Sequence, residues 1–161
     1  YHELYNLLTN DTIASKISFS QYVEELSKQT PSNVVIILSG SESDKDHVDK
    51  LEKELDNFNI DHYSWVCSAH KKTKQLIGIL DDMETCPRRK IYVTVAGRSN
   101  ALSGVVACNS RYPVIACPPF KDKMDMFVNI NSSLQMPSKV PVMTILEPNN
   151  VAISCDRIFN L

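Results

Sequence analysis

The chain has 161 residues, of which 43% are hydrophobic and 22% charged, so it is long enough for one domain with a substantial apolar core. The formal net charge is -2, and the lysines are scattered along the sequence. A weakly acidic chain without a basic stripe is not typical of a protein whose main partner is a nucleic acid. A small phosphorylated ligand stays compatible, because a few backbone N–H groups can bind one phosphate.

The five cysteines stand at positions 67, 86, 108, 117 and 155, and no two have Cys-x-x-Cys spacing. This pattern predicts neither a disulfide framework nor a zinc site, and we expect buried, reduced thiols in a cytoplasmic protein. No apolar run approaches the ~20 residues that span a bilayer, and no signal-peptide pattern is present. Tyr1 is not a natural first residue, which leaves room for an upstream segment.

Residues 1–32 are predicted to form a separate N-terminal helix and linker. Phe19, Val23 and Leu26 recur at helical spacing, and a polar stretch follows them. From residue 33 onward short apolar runs alternate with polar turns and amphipathic segments. We therefore assign the main domain to residues 33–161.

Five short apolar runs predict strands, and the first is continuous enough to be buried on both faces. The predicted strands cover residues 34–38, 60–66, 91–96, 113–117 and 140–146. Apolar residues spaced three and four apart predict helices between them and at the end of the chain. These helices are marked by Val48, Leu51, Leu55 and Phe58, by Leu76, Leu80 and Met83, by the stretch 124–134, and by Val151, Cys155 and Ile158. The alternation predicts a three-layer α/β/α fold with a doubly wound parallel sheet.

Ligands of such sheets bind beyond the carboxyl ends of the strands, so the turns after the strands are the candidate site. The first strand is followed by Gly40-Ser41-Glu42-Ser43-Asp44. Gly40 is expected to leave the strand at positive φ, and the two serines supply hydroxyl groups at a helix N-terminus. The segment is equally consistent with a plain helix cap and with a phosphate or ribose site.

After the second strand stands Cys67-Ser68-Ala69-His70-Lys71. A histidine beside a lysine at a strand end is placed for proton transfer. Taken alone, however, such a pair is more often two unrelated surface residues. The remaining histidines are interpreted as structural; they are His2, His47 and His62.

The loop after the third strand, Ala96 to Gly104, holds two of the four glycines of the chain. Arg98 offers a planar fork for a phosphate or carboxylate group, and Ser99 and Asn100 add polar side chains. The alternative is an ordinary loop with a helix cap at Ser99. Scarce glycines placed together with Arg-Ser-Asn at a strand end favour a binding loop.

Together these motifs resemble one family, the second class of aminoimidazole ribonucleotide carboxylases. Gly-Ser-x-Ser-Asp after the first strand and Ser-Ala-His after the second are also shared by the first class, the bacterial carboxyaminoimidazole mutases. The lysine after that histidine and Ala-Gly-Arg-Ser-Asn in the third loop are similar to the second class. Residues 112–119 and 133–138 resemble it as well, and the similarity runs from about Val34 to Leu161.

The resemblance implies a flavodoxin-like subunit of a cytoplasmic homo-octamer that needs no metal and no cofactor. Its implied activity is the ATP-independent carboxylation of 5-aminoimidazole ribonucleotide with carbon dioxide, in de novo purine (IMP) biosynthesis. His70 would move the ring proton and Lys71 would face the carboxyl group, which makes these two residues catalytic. The substrate would be bound by Gly40, Ser41, Ser43, Asp44, Ser68, Ala69, Arg98, Ser99, Asn100 and Ala101.

The chain also departs from the family pattern. Lys139 replaces the glycine that usually follows Met-Pro-Ser, and Cys108 stands where animal members have glycine. A further C-terminal helix, which contacts neighbouring subunits in the family, is not seen after Leu161. Animal members are fused behind a succinocarboxamide synthetase domain, so residues 1–32 are a candidate for the junction to such a domain.

Two other functions stay open at the level of the residues. A flavodoxin-like FMN-binding protein could hold the flavin phosphate at residues 39–43, although the chain has a single Trp. A non-catalytic paralogue of the same fold is supported by Lys139 and Cys108 and weakened by the intact His70-Lys71 pair. We predict the enzyme.

Overall fold

The structure, a computed structural model, describes residues 33–161, and the N-terminal helix and linker predicted at 1–32 lie outside the described residues. The described strands form one parallel sheet in the order β2-β1-β3-β4-β5. They are β1 (Asn33–Ser39), β2 (His62–Val66), β3 (Arg89–Val95), β4 (Val114–Ala116) and β5 (Met143–Thr144). The helices are α1 (Lys45–Asn57), which follows a 3₁₀ turn at Glu42–Asp44, α2 (Thr73–Thr85), α3 (Ala101–Cys108), α4 (Lys123–Leu134) and α5 (Pro148–Phe159).

Strand β1 is buried on both faces, as its continuous apolar run predicts. Val34, Ile36 and Leu38 point into a cluster with residues of α2 and α3. Val35 and Ile37 alternate with them and point into a second cluster, with residues of α1 and α5. The alternation of side chains along a strand thus supplies both apolar layers. The predicted three-layer, doubly wound α/β fold is confirmed.

Strand β5 is shorter than predicted, since it comprises Met143–Thr144 and not residues 140–146. Its partner β4 has three residues, and the pair shares two register positions, Ile115 with Met143 and Ala116 with Thr144. Pro141 lies ahead of the strand and has no N–H to donate to a ladder. The short partner strand and the proline therefore limit β5 to fewer residues than the apolar run predicted.

Helix α3 begins inside the stretch that was predicted as a loop up to Gly104. Asn100 caps it, because its Oδ1 accepts a hydrogen bond of 3.1 Å from the N–H of Ser103. Gly104 lies within the helix, where an added Cβ would stand 3.4 Å from Sδ of Met136. This distance is at the limit of ordinary van der Waals contact, so α3 packs closely against the chain after α4.

The five cysteines all carry free thiols. Four of them are buried as predicted, and Cys108, at the end of α3, is exposed. In residues 33–161 no helix combines the length and the apolar character that crossing a membrane requires.

Lys139 occupies a left-handed backbone conformation with φ of 66°. It is the third residue of a turn that is closed by a 3.2 Å hydrogen bond from the N–H of Val140 to the carbonyl of Pro137. Glycine adopts this conformation without a steric penalty, whereas in other residues Cβ lies too close to the following carbonyl oxygen. The glycine that the family usually has here is therefore explained by backbone geometry.

We expect Lys139→Gly to raise the free energy of unfolding by about 1 kcal/mol, because it removes that steric penalty. Ser138→Gly is the matched control, since Ser138 is not among the described residues with positive φ. The control should lower the free energy of unfolding by roughly 0.5–1 kcal/mol. Urea denaturation measures both, and equal destabilisation by the two variants would contradict the expected relief.

Candidate active site

Hydrogen bonds between strand ends bring the three predicted loops to one edge of the sheet. The N–H of Gly40 donates to the carbonyl of Val95 at 2.9 Å, and the N–H of Cys67 donates to the carbonyl of Ser39 at 2.8 Å. The loops that follow β2, β1 and β3 therefore start side by side. Helices α1 and α2 pack on opposite faces of the sheet, so the carboxyl ends of β1 and β3 form the switch point at which such folds bind ligands.

The first loop forms a compact turn built on two serines. The Oγ of Ser41 accepts hydrogen bonds from the N–H of Ser43 at 3.2 Å and from its hydroxyl at 2.9 Å. Both side chains are exposed. Since Ser41 Oγ is the acceptor in both bonds, its own proton is free to be donated to a ligand.

The expected positive φ at Gly40 is wrong, because none of the described glycines has a positive φ. The N–H of Gly40 still bonds to β3, so the chain leaves β1 in an ordinary conformation. A Cβ added here would lie 3.6 Å from Cβ of Ala96, which is normal contact. The smooth exit from β1 therefore needs no glycine for the turn itself.

Asp44 ends the 3₁₀ turn and is half-buried. Burial raises the pKa of its carboxyl group, and hydrogen bonds from the backbone of Ser41 and the side chain of Ser43 partly oppose this rise. As a carboxylate it offers acceptor positions only, which suits the hydroxyl groups of a ribose. The loop thus combines hydroxyl donors with a carboxylate acceptor.

The second loop is a helical turn that leads into α2. The N–H of Lys71 donates to Oγ of Ser68 at 3.3 Å, and the N–H of Lys72 donates to the carbonyl of Ser68 at 2.9 Å. The side chains of His70 and Lys71 are exposed. Within residues 33–161 neither side chain is bound to another one, so both are available to a ligand.

The third loop carries an exposed cation on a constrained backbone. Nη2 of Arg98 lies 3.2 Å from Oδ1 of Asp125, and the guanidinium side chain is 73% exposed. Ser99 has a left-handed backbone with φ of 56°, and its carbonyl accepts a 2.8 Å hydrogen bond from the N–H of Ala101, the first residue of α3. Non-glycine residues in this conformation are concentrated at functional sites.

Asn100 is buried, and its side chain is used inside the protein. Nδ2 donates to Oγ of Ser103 at 2.8 Å and to Oγ of Ser133 at 3.0 Å, while its N–H donates to Oγ of Ser132 at 2.6 Å. A direct contact between this amide and a ligand would require some of these bonds to break. Asn100 therefore shapes the loop from within.

Sequence reasoning did not identify one side of α4 as part of this site. Its residues are spaced four, seven and eight positions from the first, so they share one face of the helix. Each contacts the third loop: Asp125 binds Arg98, Asn129 packs on Gly97, and Ser132 and Ser133 bind Asn100. We call these four residues the loop-facing side of α4. Their helical spacing within the predicted 124–134 helix was the signal that could have revealed them.

Asn129 forms the closest backing of the loop. It is 3% exposed, and its Nδ2 donates to the carbonyl of Pro119 at 2.7 Å. A Cβ added to Gly97 would lie 3.5 Å from that same nitrogen. That distance is ordinary van der Waals contact, so the loop lies close to the amide of Asn129 although a Cβ at position 97 would still fit.

An open cleft of about 470 Å³ adjoins the third loop. Its lining mixes both charges with apolar side chains and consists of Arg98, Lys121, Asp122, Met124, Asp125 and Val128. Arg98 thus belongs both to the strand-end loops and to this cleft, which links the two.

Fold and site together define a doubly wound α/β protein with hydroxyl and cationic groups suited to a phosphorylated ligand, and with an exposed His-Lys pair suited to proton transfer. A family model described as AIR carboxylase matches residues 34–161, and the chain belongs to this family. The predicted resemblance, the flavodoxin-like fold and the assignment as an enzyme are thereby confirmed.

The relatives lead to the same assignment. The chain is 44% identical over 128 residues to the phosphoribosylaminoimidazole carboxylase of Treponema denticola, covering 80% of each protein. The crystal structure of Treponema denticola PurE matches with a TM-score of 0.74 at 43% identity, again covering 80% of each chain. A bifunctional phosphoribosylaminoimidazole carboxylase/phosphoribosylaminoimidazole succinocarboxamide synthetase of Drosophila melanogaster is 34% identical over 163 residues, which is 100% of this chain and 38% of that protein.

Proposed function

We propose that this protein carboxylates 5-aminoimidazole ribonucleotide at its ring carbon with carbon dioxide, without ATP, and so acts in de novo purine biosynthesis. The observation that carries this proposal is the meeting of three family motifs at one edge of the sheet, within a chain that matches the AIR carboxylase family over residues 34–161. The FMN-binding and non-catalytic alternatives are not favoured by the relatives, which are named as carboxylases.

The first two loops are suited to the ribose phosphate of the substrate. Ser41 and Ser43 present exposed hydroxyl groups, Asp44 offers a carboxylate beside them, and Ser68 starts the neighbouring turn. A phosphate at this place would also lie near the N-terminal end of α1, where the helix dipole favours an anion. We assign nucleotide binding chiefly to these residues.

The ring carbon of the electron-rich aminoimidazole forms the new carbon–carbon bond to carbon dioxide, whose π electrons move to oxygen. The same carbon then loses its proton, and the electron pair of that C–H bond restores the aromatic ring. We assign the uptake of this proton to the imidazole of His70, which acts as general base. Lys71 and Arg98 supply the positive charge that stabilises the developing carboxylate.

The direct test is a carboxylation assay with 5-aminoimidazole ribonucleotide and bicarbonate in the absence of ATP. We expect product whose rate of formation rises with dissolved carbon dioxide, because Lys71 and Arg98 face the carboxyl group in this assignment. The N5-carboxylated nucleotide is the second substrate arm. Product from that compound with no dependence on dissolved carbon dioxide would show that carbon dioxide is not the carboxyl donor. The absence of product from both substrates would refute the proposed function.

We expect His70→Asn to lower kcat by about 10²–10⁴-fold, the usual contribution of a positioned acid or base. Nucleotide affinity should change little, because the phosphate is held by other residues. Ser43→Ala should do the reverse and raise KM more than it lowers kcat. His62→Asn is the matched control, since His62 stands at the opposite end of the same strand from the His70 loop.

Steady-state kinetics separate these outcomes, with circular dichroism to verify folding. A folded His70→Asn protein with near wild-type kcat would remove His70 from the proton transfer, and Lys71 would become the candidate.

A symmetric homo-oligomer, for which we propose an octamer, is supported by the outer surface of α4. Apolar side chains recur there at helical spacing and are unusually exposed: Met124, Phe127, Val128 and Leu134. Phe120 and Met143 add further exposed apolar surface. Exposed apolar patches of this kind typically mark contacts with another protein.

Light scattering should give a mass well above the 18.2 kDa of one chain. Phe127→Glu should shift the protein toward smaller species, because it places a charge in the apolar patch. Gln75→Glu adds the same charge on the exposed surface of α2 and should leave the mass unchanged. A monomeric wild-type protein at micromolar concentration would refute the oligomer.

Two coarser assignments complete the proposal. The Drosophila relative aligns with 100% of this chain and the Treponema relative with 80%, which supports residues 1–32 as a junction to a succinocarboxamide synthetase domain. Four buried free thiols support the cytoplasm as the compartment. The proposed reaction uses no metal and no cofactor.

A further inference from the structure

We propose that Asp125 is a positioning residue that orients Arg98 for the anionic groups of the substrate. The inference rests on the proposed function and adds a residue to it. Its starting point is the single contact between the two side chains, 3.2 Å from Nη2 of Arg98 to Oδ1 of Asp125. A guanidinium group has five N–H donors, so this contact leaves the other edge of the group free for a phosphate or carboxylate.

Asp125 can orient Arg98 because it is itself fixed. Its Oδ2 accepts a 3.1 Å hydrogen bond from the N–H of Lys121, and its own N–H donates to Oδ1 of Asp122 at 2.9 Å. The side chain is 20% exposed, against 73% for Arg98. An acidic residue in the first turn is also favoured by the helix dipole. The carboxylate is therefore the anchored partner and the guanidinium the mobile one.

The backbone beneath Arg98 is held by the same helix. Asn129 packs against Gly97, and Ser132 and Ser133 bind the N–H and the amide of Asn100. The loop-facing side of α4 thus fixes the main chain on both sides of Arg98. Of these four residues Asp125 is the one that contacts a charged side chain, so its contribution is to the direction of the guanidinium.

Removing Asp125 should release the rotamers of Arg98, and binding must then order that side chain. The usual cost of ordering one long side chain corresponds to a KM raised by about 3–10-fold. Because both substrate and transition state use the same cation, kcat should stay within about twofold. The positive charge of Arg98 is retained, so the change reports orientation and not loss of a cation.

The test is a double-mutant cycle in the carboxylation assay, with Arg98→Ala, Asp125→Ala and the double variant. We expect Asp125→Ala to raise KM in the wild-type background and to have no further effect when Arg98 is already alanine. Asp49→Ala is the matched control, since it removes the carboxylate of an exposed ion pair, 2.6 Å from Lys45, on α1. An unchanged KM, an equal effect in both backgrounds or the same effect from Asp49→Ala would each overturn the proposal.

Folding and function are tested separately. Circular dichroism verifies each variant, and Asp125→Asn replaces Asp125→Ala in the cycle if the alanine variant does not fold. If the wild-type protein binds the nucleotide without turnover, the same cycle is measured as Kd by calorimetry. A wild-type protein that neither binds nor reacts overturns the proposed function and this inference together, whereas an active protein with an additive cycle overturns the inference alone.

Discussion

Strand β1 has hydrogen-bonded neighbours on both sides and is buried on both faces. Because β2 and β3 run parallel to β1, all three strands end at the same edge of the sheet. Their following loops must then lie next to one another, whatever residues they contain. The proximity of the serine turn, the His-Lys turn and the arginine loop is thus a consequence of backbone pairing. The residues of the three loops determine only which chemical groups lie at that edge of the sheet.

Elements that bury whole runs of apolar residues could be predicted from sequence. A strand buried on both faces is continuously apolar, and a helix buried on one face has apolar residues three and four positions apart. Strand β1 and helices α1, α2 and α5 follow this rule, whereas the apolar residues that predicted α4 are exposed and its buried residues are Asn129 and Ser133. Strand β5 does not, since its length depends on how many residues its partner β4 can offer. Helix α3 was also missed, because Ser103 and Gly104 in its first turn are residues typical of loops, and the cap at Asn100 is seen only in the structure.

The candidate site divides in the same way. Gly40 to Asp44, Ser68 to Lys71 and Arg98 are local motifs, so a single pass along the chain finds them. The groups that support Arg98 and Asn100 lie 27 to 33 residues away along the chain, where no local pattern connects them. Asn100 is an example. The motif predicts that it binds the substrate, whereas in the structure its side-chain amide is hydrogen-bonded within the protein and stabilises the loop.

Helix α4 presents two different surfaces from twelve residues, one polar and loop-facing, the other apolar and exposed. At 3.6 residues per turn, the deletion of one residue rotates everything after it by about 100°. A deletion between Asp125 and Ser132 would therefore turn Ser132 away from Asn100, move Ser133 into the place of Ser132 and put the apolar Leu134 in the place of Ser133. Evolution can exchange side chains in this helix one by one, yet a change in its length alters both surfaces at once. Related sequences should accordingly vary in composition here far more than in the number of residues.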